Sequence, residues 1–232
     1  MPVAVITGAS KGLGRALAQA LAARGWDLAL DARDEGRLKE AVDALSVHGT
    51  RVSGVAGDVT DARHRAELVA AAWRLGGVDL LVNNAGTLGV APLVTLEAHP
   101  VEAFRAALEA NVVAPLALVQ EALPLLRQAP AGAVVNVSSD AAVEAYGTWG
   151  AYGATKAALD QLSAVLAVEE PGLRVWWVDP GSMRTDMLAA AEPGEGLSGT
   201  PDPEEVAPGF LRLLDERPPS GRYAAQALLG SR

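Results

Sequence analysis

Residues 3–14 of the 232-residue chain read VAVITGASKGLG. The four apolar residues Val3–Ile6 predict a short buried strand, and the glycines Gly8, Gly12 and Gly14 predict a turn in which the backbone can approach a ligand closely. A helical pattern follows at once, and the start of a helix offers free N–H groups and a partial positive charge to a pyrophosphate. The spacing is G-x-x-x-G-x-G, not the general G-x-G-x-x-G fingerprint. We interpret residues 7–14 as a candidate phosphate cradle, with a tight turn that binds nothing as the alternative.

The rest of the chain continues this alternation of short apolar runs and longer amphipathic stretches. The predicted strands are Val3–Ile6, Asp27–Leu30, Arg51–Ala56, Val78–Val82, Ala133–Val137 and Leu173–Val178. The predicted helices are Leu13–Arg24, Glu35–Val47, Asp61–Leu75, Pro100–Arg127 and Ala151–Glu169. Apolar strands separated by helices are typical of a parallel sheet covered on both faces. The pattern predicts an α/β fold, a Rossmann-like doubly wound parallel sheet in three α/β/α layers, with residues 1–232 as a single domain.

One segment departs from the pattern. Residues 189–203 read AAAEPGEGLSGTPDP and have no periodicity. The segment is either a surface connection or a mobile lid over a site, and as a lid it would extend over residues 186–203. The sequence leaves both interpretations open.

Composition excludes several classes of function. The chain is 50% hydrophobic, has no cysteine and carries a net charge of −9, so it has no disulfide or zinc-thiolate site, and without a basic stripe we expect no nucleic-acid partner. The three histidines lack the spacing of metal ligands, so we expect them at the surface and expect no metal. No run of 18 apolar residues and no basic leader are present, and we therefore expect no membrane association, no signal peptide and a cytoplasmic location.

Five segments, in order and spacing, resemble the classical short-chain dehydrogenases/reductases. They are Thr7–Gly14, Asp58-Val59, Asn83-Asn84-Ala85-Gly86, Ser139 with Tyr152-x-x-x-Lys156, and Pro180-Gly181-x-x-x-Thr185. The resemblance implies a nicotinamide-dependent oxidoreductase. The cofactor-binding residues that it implies are Gly8, Ser10, Lys11, Gly12, Leu13, Gly14, Arg33, Asp58, Val59, Asn84, Ala85, Gly86, Tyr152, Lys156, Pro180, Gly181 and Thr185. Among these, the family places Asp58 on the adenine amino group and Thr185 on the nicotinamide carboxamide.

Tyr152 and Lys156 are the candidate acid/base pair. Residues four apart share one face of a helix, and a nearby ammonium is expected to lower the pKa of a phenol. Tyr146 lacks such a partner, because Gly150 stands four residues after it. Ser139 ends a predicted strand, and the resemblance makes it the residue that orients the substrate carbonyl.

Two further residues complete the predicted site. The resemblance gives Asn111 a relay water at an interruption in its helix, while the residue alone also fits a helix-surface amide. Trp149 precedes Tyr152 by three residues and is a candidate wall of an apolar substrate pocket that also contains Ser139 and Tyr152.

The end of the second predicted strand bears on the choice of cofactor. A carboxylate there selects NAD and an arginine accommodates the 2′-phosphate of NADP, and both types occur, as Asp31 and Arg33. The resemblance places Arg33 and Lys11 at positions that are basic in NADP-preferring members. We therefore favour NADP(H) and keep NAD(H) as the alternative because of Asp31, which could instead be a strand-end residue that turns away from the site.

These features predict a reductase that exchanges a hydride between NADP(H) and a ketone, an aldehyde or a secondary alcohol. The alternatives are a sensor or scaffold protein that binds NADP(H) without catalysis, and an extended-type epimerase or dehydratase, for which the chain is short. Ser220–Tyr223 lacks the Asp-Gly-Gly ending of the family's tetramers. A homodimer through the helices 100–127 and 151–169 is therefore favoured over a tetramer.

Overall fold

The computed structural model describes residues 1–194 and 197–230. Within them the strands are β1 (Val3–Ile6), β2 (Asp27–Ala32), β3 (Val52–Ala56), β4 (Leu80–Asn83), β5 (Ala133–Val137), β6 (Arg174–Asp179) and β7 (Gly221–Ala224). The α-helices are α1 (Gly12–Ala22), α2 (Glu35–Leu45), α3 (Ala62–Leu75), α4 (Val101–Leu108), α5 (Ala114–Leu126), α6 (Gly150–Glu169), α7 (Asp186–Ala191), α8 (Pro203–Glu216) and α9 (Ala225–Gly230).

The seven strands form one parallel sheet in the order β3-β2-β1-β4-β5-β6-β7. The chain moves outward from β1 to β3 and then returns to the other side of β1 with β4. The carboxyl ends of β1 and β4 therefore separate at a topological switch point, where open α/β sheets place their ligand sites. The predicted Rossmann-like α/β fold is confirmed.

Both faces of the sheet are buried, which explains the uninterrupted apolar strands. Along β1, Ala4 and Ile6 belong to the core beneath α1 and α8, whereas Val3 and Val5 belong to the core beneath α3 and α5. Successive side chains of a strand point to opposite faces, so a strand covered on both sides has no position for an exposed polar residue.

The predicted strands and helices agree with the structure to within a few residues, apart from the end of the chain. Strand β7 was not predicted, because its four residues, GRYA, are short, partly polar and only half-buried. It pairs with β6 at the edge of the sheet, where one row of hydrogen bonds and one neighbour suffice.

The predicted helix 100–127 contains a π-helical segment, Glu109–Val113, between α4 and α5. Asn111 lies in this segment, at the interruption that the family resemblance implied. The continuous helix Val101–Leu126 is long and apolar enough to span a membrane by length and composition alone. Leu118 and Leu126 are buried in the core against the sheet, so core packing accounts for part of this helix's apolar character.

We expect Gly14→Ala to destabilise the protein, because a Cβ at Gly14 would lie 2.4 Å from the Gly8 carbonyl oxygen, and backbone has to move to admit it. The expected loss is about 1–3 kcal/mol of unfolding free energy. Gly36→Ala is the matched control in the first turn of α2, where the nearest atom would be 3.5 Å away. That variant should gain up to about 1 kcal/mol from helix propensity. Urea denaturation of both variants measures the difference, and equal stabilities would contradict the close approach.

Candidate active site

The turn between β1 and α1 has the features of a phosphate cradle. Gly8 and Gly12 adopt positive φ angles of 66° and 55°, which a residue with a side chain rarely adopts. Gly14 lets α1 lie directly on this turn. The N-cap residue of α1 is Lys11, which caps no N–H group, whereas Asp34 and Asp61 cap α2 and α3. The first N–H groups of α1 therefore face the cradle without a side-chain acceptor, as a pyrophosphate would require.

Hydrogen bonds join this turn to the end of β4. The Thr7 hydroxyl accepts from the N–H groups of Asn84 and Ala85, at 3.0 and 2.9 Å. The Asn84 side-chain amide donates to the carbonyls of Thr7 and Gly8, at 2.8 and 3.2 Å. Asn84 thus connects the loops after β1 and β4 at the switch point, and its side-chain amide N–H groups donate to the β1 turn.

Asp31 is buried, which favours the alternative of a strand-end residue that turns away from the site. Its carboxylate accepts from the Gly8 N–H at 2.7 Å and lies 2.9 Å from His64 Nε2. The expected surface position of His64 is wrong, because its side chain is only 6% exposed. The hydrogen bond with Asp31 raises the pKa of His64 above 6.5, against the effect of burial. Asp31 therefore anchors the phosphate loop and is not free to bind a ribose.

Three cationic side chains follow the carboxyl ends of β1 and β2, the region of the predicted 2′-phosphate contact. Arg33 is exposed at the end of β2, and its charge contributes to lowering the pKa of Asp58. Lys11 forms a 2.6 Å ion pair with Asp186 at the start of α7. Arg37, which the sequence analysis missed, lies 3.8 Å from the same Asp186 carboxylate. Arg37 stands four residues after Arg33, and this spacing is the signal in the sequence that could have identified it.

Asp58 follows β3, the strand next to β2 at the edge of the sheet. Its Oδ1 accepts from the backbone N–H and the hydroxyl of Thr60 at 2.9 and 2.8 Å, and within the described chain Oδ2 makes no hydrogen bond. Burial opposes ionisation, but these hydrogen bonds and Arg33 leave the pKa of Asp58 below its usual range. The neighbouring carbonyl of Val59 is taken by Arg65 at 2.8 Å. Asp58 therefore presents a free carboxylate oxygen, as contact with an adenine amino group would require.

Tyr152 and Lys156 lie together on α6, and both are buried. Lys156 Nζ is 5.6 Å from the centre of the Tyr152 ring and donates to the Val137 carbonyl at 2.7 Å. Burial lowers the pKa of Lys156 from 10.5 to about 8. Gly153 lets α6 pack closely on the main chain at Ala141, because a Cβ at Gly153 would lie 2.4 Å from the Ala141 carbonyl oxygen.

The expected lowering of the Tyr152 pKa by Lys156 is wrong for this geometry. Burial, followed by the charges of Asp140 and Asp179, raises the pKa of the phenol well above 10, and only a hydrogen bond with Ser139 acts in the other direction. The sequence shows Lys156 four residues after Tyr152. It does not show that the fold brings the carboxylates of Asp140 and Asp179 close to the tyrosine. Tyr152 is accordingly a hydroxyl that holds its proton firmly.

Ser139 lies beside Tyr152 at the start of a 3₁₀ turn, Asp140–Ala142. Its hydroxyl donates to the Asp140 carboxylate at 3.0 Å and accepts from the Ala141 N–H at 3.2 Å. The hydroxyl of Tyr146 donates to the other oxygen of Asp140, at 3.0 Å. Asp140 therefore orients the Ser139 hydroxyl, a role that the sequence analysis did not assign to it.

Asn111 reaches this group of residues from the π-helical segment. Its side chain is buried, which excludes the surface amide considered from the sequence. The amide oxygen accepts from the Thr87 N–H at 2.8 Å, and the amide nitrogen donates to the Thr87 carbonyl at 2.8 Å and to the Thr155 hydroxyl at 2.9 Å. A Cβ at Gly86 would lie 3.2 Å from Asn111 and 3.8 Å from Lys156 Nζ. The asparagine thus ties the β4 loop to α6 next to Lys156.

A small apolar cluster covers Tyr152. It comprises Leu88, Ala141, Tyr152 and Ala191, with Leu93 and Trp149 packed against them. The Trp149 ring meets the Tyr152 ring edge-on at 5.6 Å, and its indole N–H donates to Glu192 at 3.2 Å. The predicted lid, residues 186–203, therefore contacts the tyrosine's surroundings through α7 and Glu192, while residues 195–196 lie outside the described residues.

The loop after β6 lies at the border of the candidate site. Gly181, at φ 72°, follows Pro180, and its N–H donates to Asp179 at 2.8 Å. Thr185 caps α7 by accepting from the Leu188 N–H at 3.3 Å. Its methyl group would lie 3.6 Å from a Cβ at Gly12, so this loop borders the phosphate cradle.

The structure places the predicted site residues along one cleft at the carboxyl edge of the sheet. Leu13 contributes only backbone there, because its side chain is buried in the core. Ser10 is half-buried in the cradle. No cluster of histidine and carboxylate side chains within residues 1–194 and 197–230 could hold a metal ion.

The sequence profile of the short chain dehydrogenase family matches residues 2–196. The chain belongs to the short chain dehydrogenase family. It is therefore an oxidoreductase of a family that uses a nicotinamide cofactor.

Several known proteins are similar to this short chain dehydrogenase. An uncharacterised oxidoreductase from Saccharomyces cerevisiae is 34% identical, covering 98% of this chain and 90% of its own length. An alcohol dehydrogenase from Thermococcus sibiricus, solved with 5-hydroxy-NADP, is 32% identical with a TM-score of 0.85, covering 97% of this chain and 94% of its own. A short chain dehydrogenase from Shigella flexneri 2a, solved with NADP, is 29% identical with a TM-score of 0.90, covering 97% of both chains.

Other curated relatives are longer than this short chain dehydrogenase. The chain spans 61% of a short chain dehydrogenase from Pseudocercospora fijiensis, to which it is 35% identical. It spans 17% of a glycine betaine reductase from Emericella nidulans, to which it is 34% identical.

The Asp31–His64 pair predicts how the stability of this short chain dehydrogenase depends on pH. Because the folded pKa of His64 is raised, its contribution to stability is fully present below pH 6.5 and is lost as the pH rises through the folded pKa. Each unit of pKa difference corresponds to about 1.4 kcal/mol. Thermal unfolding of His64→Gln between pH 5 and 9 should lack this dependence, whereas the control His48→Gln should retain it. Identical profiles for wild type and His64→Gln would contradict the pairing.

Proposed function

We propose that the protein is an NADP(H)-dependent oxidoreductase that transfers a hydride reversibly between the nicotinamide and a ketone, an aldehyde or a secondary alcohol. The observation that carries the proposal is the meeting of the buried Tyr152 and Lys156 with the half-buried Ser139 beside the phosphate cradle. A protein that only binds a nucleotide has no need for a tyrosine and a lysine buried side by side. This arrangement favours catalysis over the sensor or scaffold alternative.

Each residue of this group has a chemical task in carbonyl reduction. A bound NADPH supplies the hydride. Tyr152 is protonated at neutral pH and would donate its proton to the substrate oxygen, a transfer that its raised pKa opposes unless neighbouring groups stabilise the phenolate. Ser139 would turn its hydroxyl from Asp140 to the substrate oxygen and stabilise the developing negative charge. Lys156, with a pKa of about 8, carries a positive charge at neutral pH and favours the phenolate left after proton transfer.

The charges at the end of β2 support the choice of NADP(H). Asp31 is engaged by Gly8 and His64, so it offers no acceptor to the ribose hydroxyls. Lys11 and Arg37 lie within 2.6 and 3.8 Å of the same Asp186 carboxylate, and Arg33 is exposed nearby in the sequence, in a protein of net charge −9. A 2′-phosphate would replace Asp186 as the partner of Lys11 and would gain charge-assisted hydrogen bonds from the arginines.

The apolar cluster around Tyr152 supports a substrate with an apolar part next to its carbonyl. Trp149 would form one wall, and α7 with Glu192, the described start of the candidate lid, would cover it through the contact between Trp149 and Glu192. Val113, Leu116, Val165 and Val168 are exposed on α5, α6 and the π-helical segment, as a homodimer interface there would require. The dimer and the cytoplasmic location both stay predictions.

Replacing the candidate acid provides the direct test. Tyr152→Phe should lower kcat for NADPH-dependent carbonyl reduction by about 10²–10⁴-fold, because the phenylalanine has no proton to donate. NADPH binding, followed by fluorescence titration, should change little. Tyr223→Phe is the matched control, since its hydroxyl binds the Pro219 carbonyl at 2.8 Å, outside the site. Normal turnover by Tyr152→Phe would overturn the proposed function.

A second test concerns the cofactor. Arg33→Ala should weaken NADPH binding by about 10- to 100-fold through loss of a charge-assisted hydrogen bond, and should leave NADH binding unchanged. Arg105→Ala is the control, because this exposed arginine on α4 pairs with Glu102 at 2.6 Å. Fluorescence titration with both nucleotides gives the dissociation constants. Tighter binding of NADH by the wild type, unaffected by Arg33→Ala, would reverse the choice of cofactor.

A further inference from the structure

Three consecutive residues at the end of β5 are each held by a charged side chain from another element. The Val137 carbonyl accepts from Lys156 Nζ at 2.7 Å. The Ser138 hydroxyl donates to Asp160 Oδ1 at 2.5 Å, and the Ser139 carbonyl accepts from Arg222 Nη2 at 2.8 Å. Side chains from α6 and β7 therefore hold the main chain at Ser139 in place.

Asp160 and Arg222 also bind each other. Arg222 Nε donates to Asp160 Oδ2 at 3.1 Å, and Arg222 Nη2 lies 3.9 Å from Asp179. The side chains of Asp160 and Arg222 are 12% and 28% exposed, so the pair is shielded from water more than a surface ion pair. One guanidinium thus connects α6, the end of β5 and the end of β6.

We propose that Asp160 and Arg222 are positioning residues of the active site, which fix the main chain at Ser139 and place a carboxylate one helical turn from Lys156. The proposal rests on the Ser139–Tyr152–Lys156 site proposed above. Arg222 lies on β7, outside all five segments that carried the family resemblance.

The proposal has an electrostatic consequence at Lys156. The charged and titratable groups around Tyr152 and Lys156 are Asp160 on α6, Asp140 after β5, Asp179 on β6 and Arg222 on β7. Burial lowers the pKa of Lys156 to about 8, and the charge of Asp160 acts against this lowering. Arg222 in turn offsets part of the charge of Asp160.

Removing one charge at a time should therefore move the Lys156 pKa in opposite directions. Asp160→Asn removes the favourable carboxylate and should lower the pKa of Lys156 by roughly one pH unit. Arg222→Gln leaves the carboxylate without its counter-charge and should raise that pKa by roughly half a unit. A purely structural role would not produce opposite shifts.

Nuclear magnetic resonance can follow this titration in the free protein. The sequence contains three lysines, Lys11, Lys39 and Lys156, so ¹³Cε-lysine labelling gives three signals, and Lys156→Met identifies the one of interest. The wild type, Asp160→Asn, Arg222→Gln and the double variant would be titrated from pH 6 to 11, with folding checked by circular dichroism. We expect opposite shifts in the single variants and partial cancellation in the double variant. Unchanged values, or shifts in the same direction, would overturn the proposal.

Arg222→Lys separates the charge from the geometry. Lysine keeps the positive charge but cannot reach both Asp160 and the Ser139 carbonyl with a planar fork. We expect a Lys156 pKa close to that of the wild type, a kcat lower by roughly 10- to 100-fold and an unchanged NADPH dissociation constant. A wild-type kcat would overturn the role of Arg222 at Ser139, and this variant also serves if Arg222→Gln does not fold.

The two readouts distinguish failure of this proposal from failure of the proposed function. The Lys156 titration needs no substrate or cofactor. If Tyr152→Phe and wild type are equally active, the oxidoreductase site is wrong, whatever the titration shows. If Tyr152→Phe is inactive but the Lys156 pKa ignores Asp160 and Arg222, only the positioning role is wrong.

Discussion

The hydroxyl of Thr7 holds together the two halves of the sheet at the point where their loops separate. It accepts the N–H groups of Asn84 and Ala85, and the Asn84 amide returns two hydrogen bonds to the β1 turn. The parallel strand order makes such a brace necessary, because the loops after β1 and β4 leave in opposite directions from adjacent strands. The phosphate cradle on one side and the Asn111–Lys156 region on the other both take their positions from it.

Buried charge is the second organising feature of the site. Asp31 is satisfied by a backbone N–H and a histidine, Lys156 by a carbonyl, and Asp160 by a hydroxyl and a guanidinium. Each would be costly to bury alone, and each is bound to an element that carries part of the candidate chemistry. The same contacts that lower this cost thus fix the phosphate loop and the Ser139 strand end.

The sequence predicted those parts of the fold that have a local pattern, such as an apolar run or a glycine-rich turn. Strands β1, β2, β4 and β5 are buried along their whole length and are mostly apolar, and the Gly8–Gly14 turn carries its own signature. Strand β7 has no such signature, since it becomes a strand only by pairing with β6. His64 reads as a solvated residue of an amphipathic helix, and only the tertiary position of Asp31 makes it a buried partner.

In the candidate site, too, the sequence revealed local spacing but not contacts between distant segments. The Tyr152–Lys156 pair was found from its spacing and Ser139 from the family resemblance, but the electrostatics of Tyr152 depend on Asp140 after β5 and Asp179 at the end of β6. A charge four residues away is visible in a sequence, whereas a charge across a cleft is not. The sign of the tyrosine's pKa shift therefore required the structure.

The place of Arg222 on the edge strand has a consequence for how the protein is made. During synthesis the ribosome releases the phosphate loop, Ser139, Tyr152 and Lys156 before the residues of β7, and β7 can pair only with a β6 that is already in place. The bond from Arg222 to the Ser139 carbonyl is thus among the last contacts of the site to form. A nascent chain would contain Ser139, Tyr152 and Lys156 and still lack the contact from β7 that holds the Ser139 main chain.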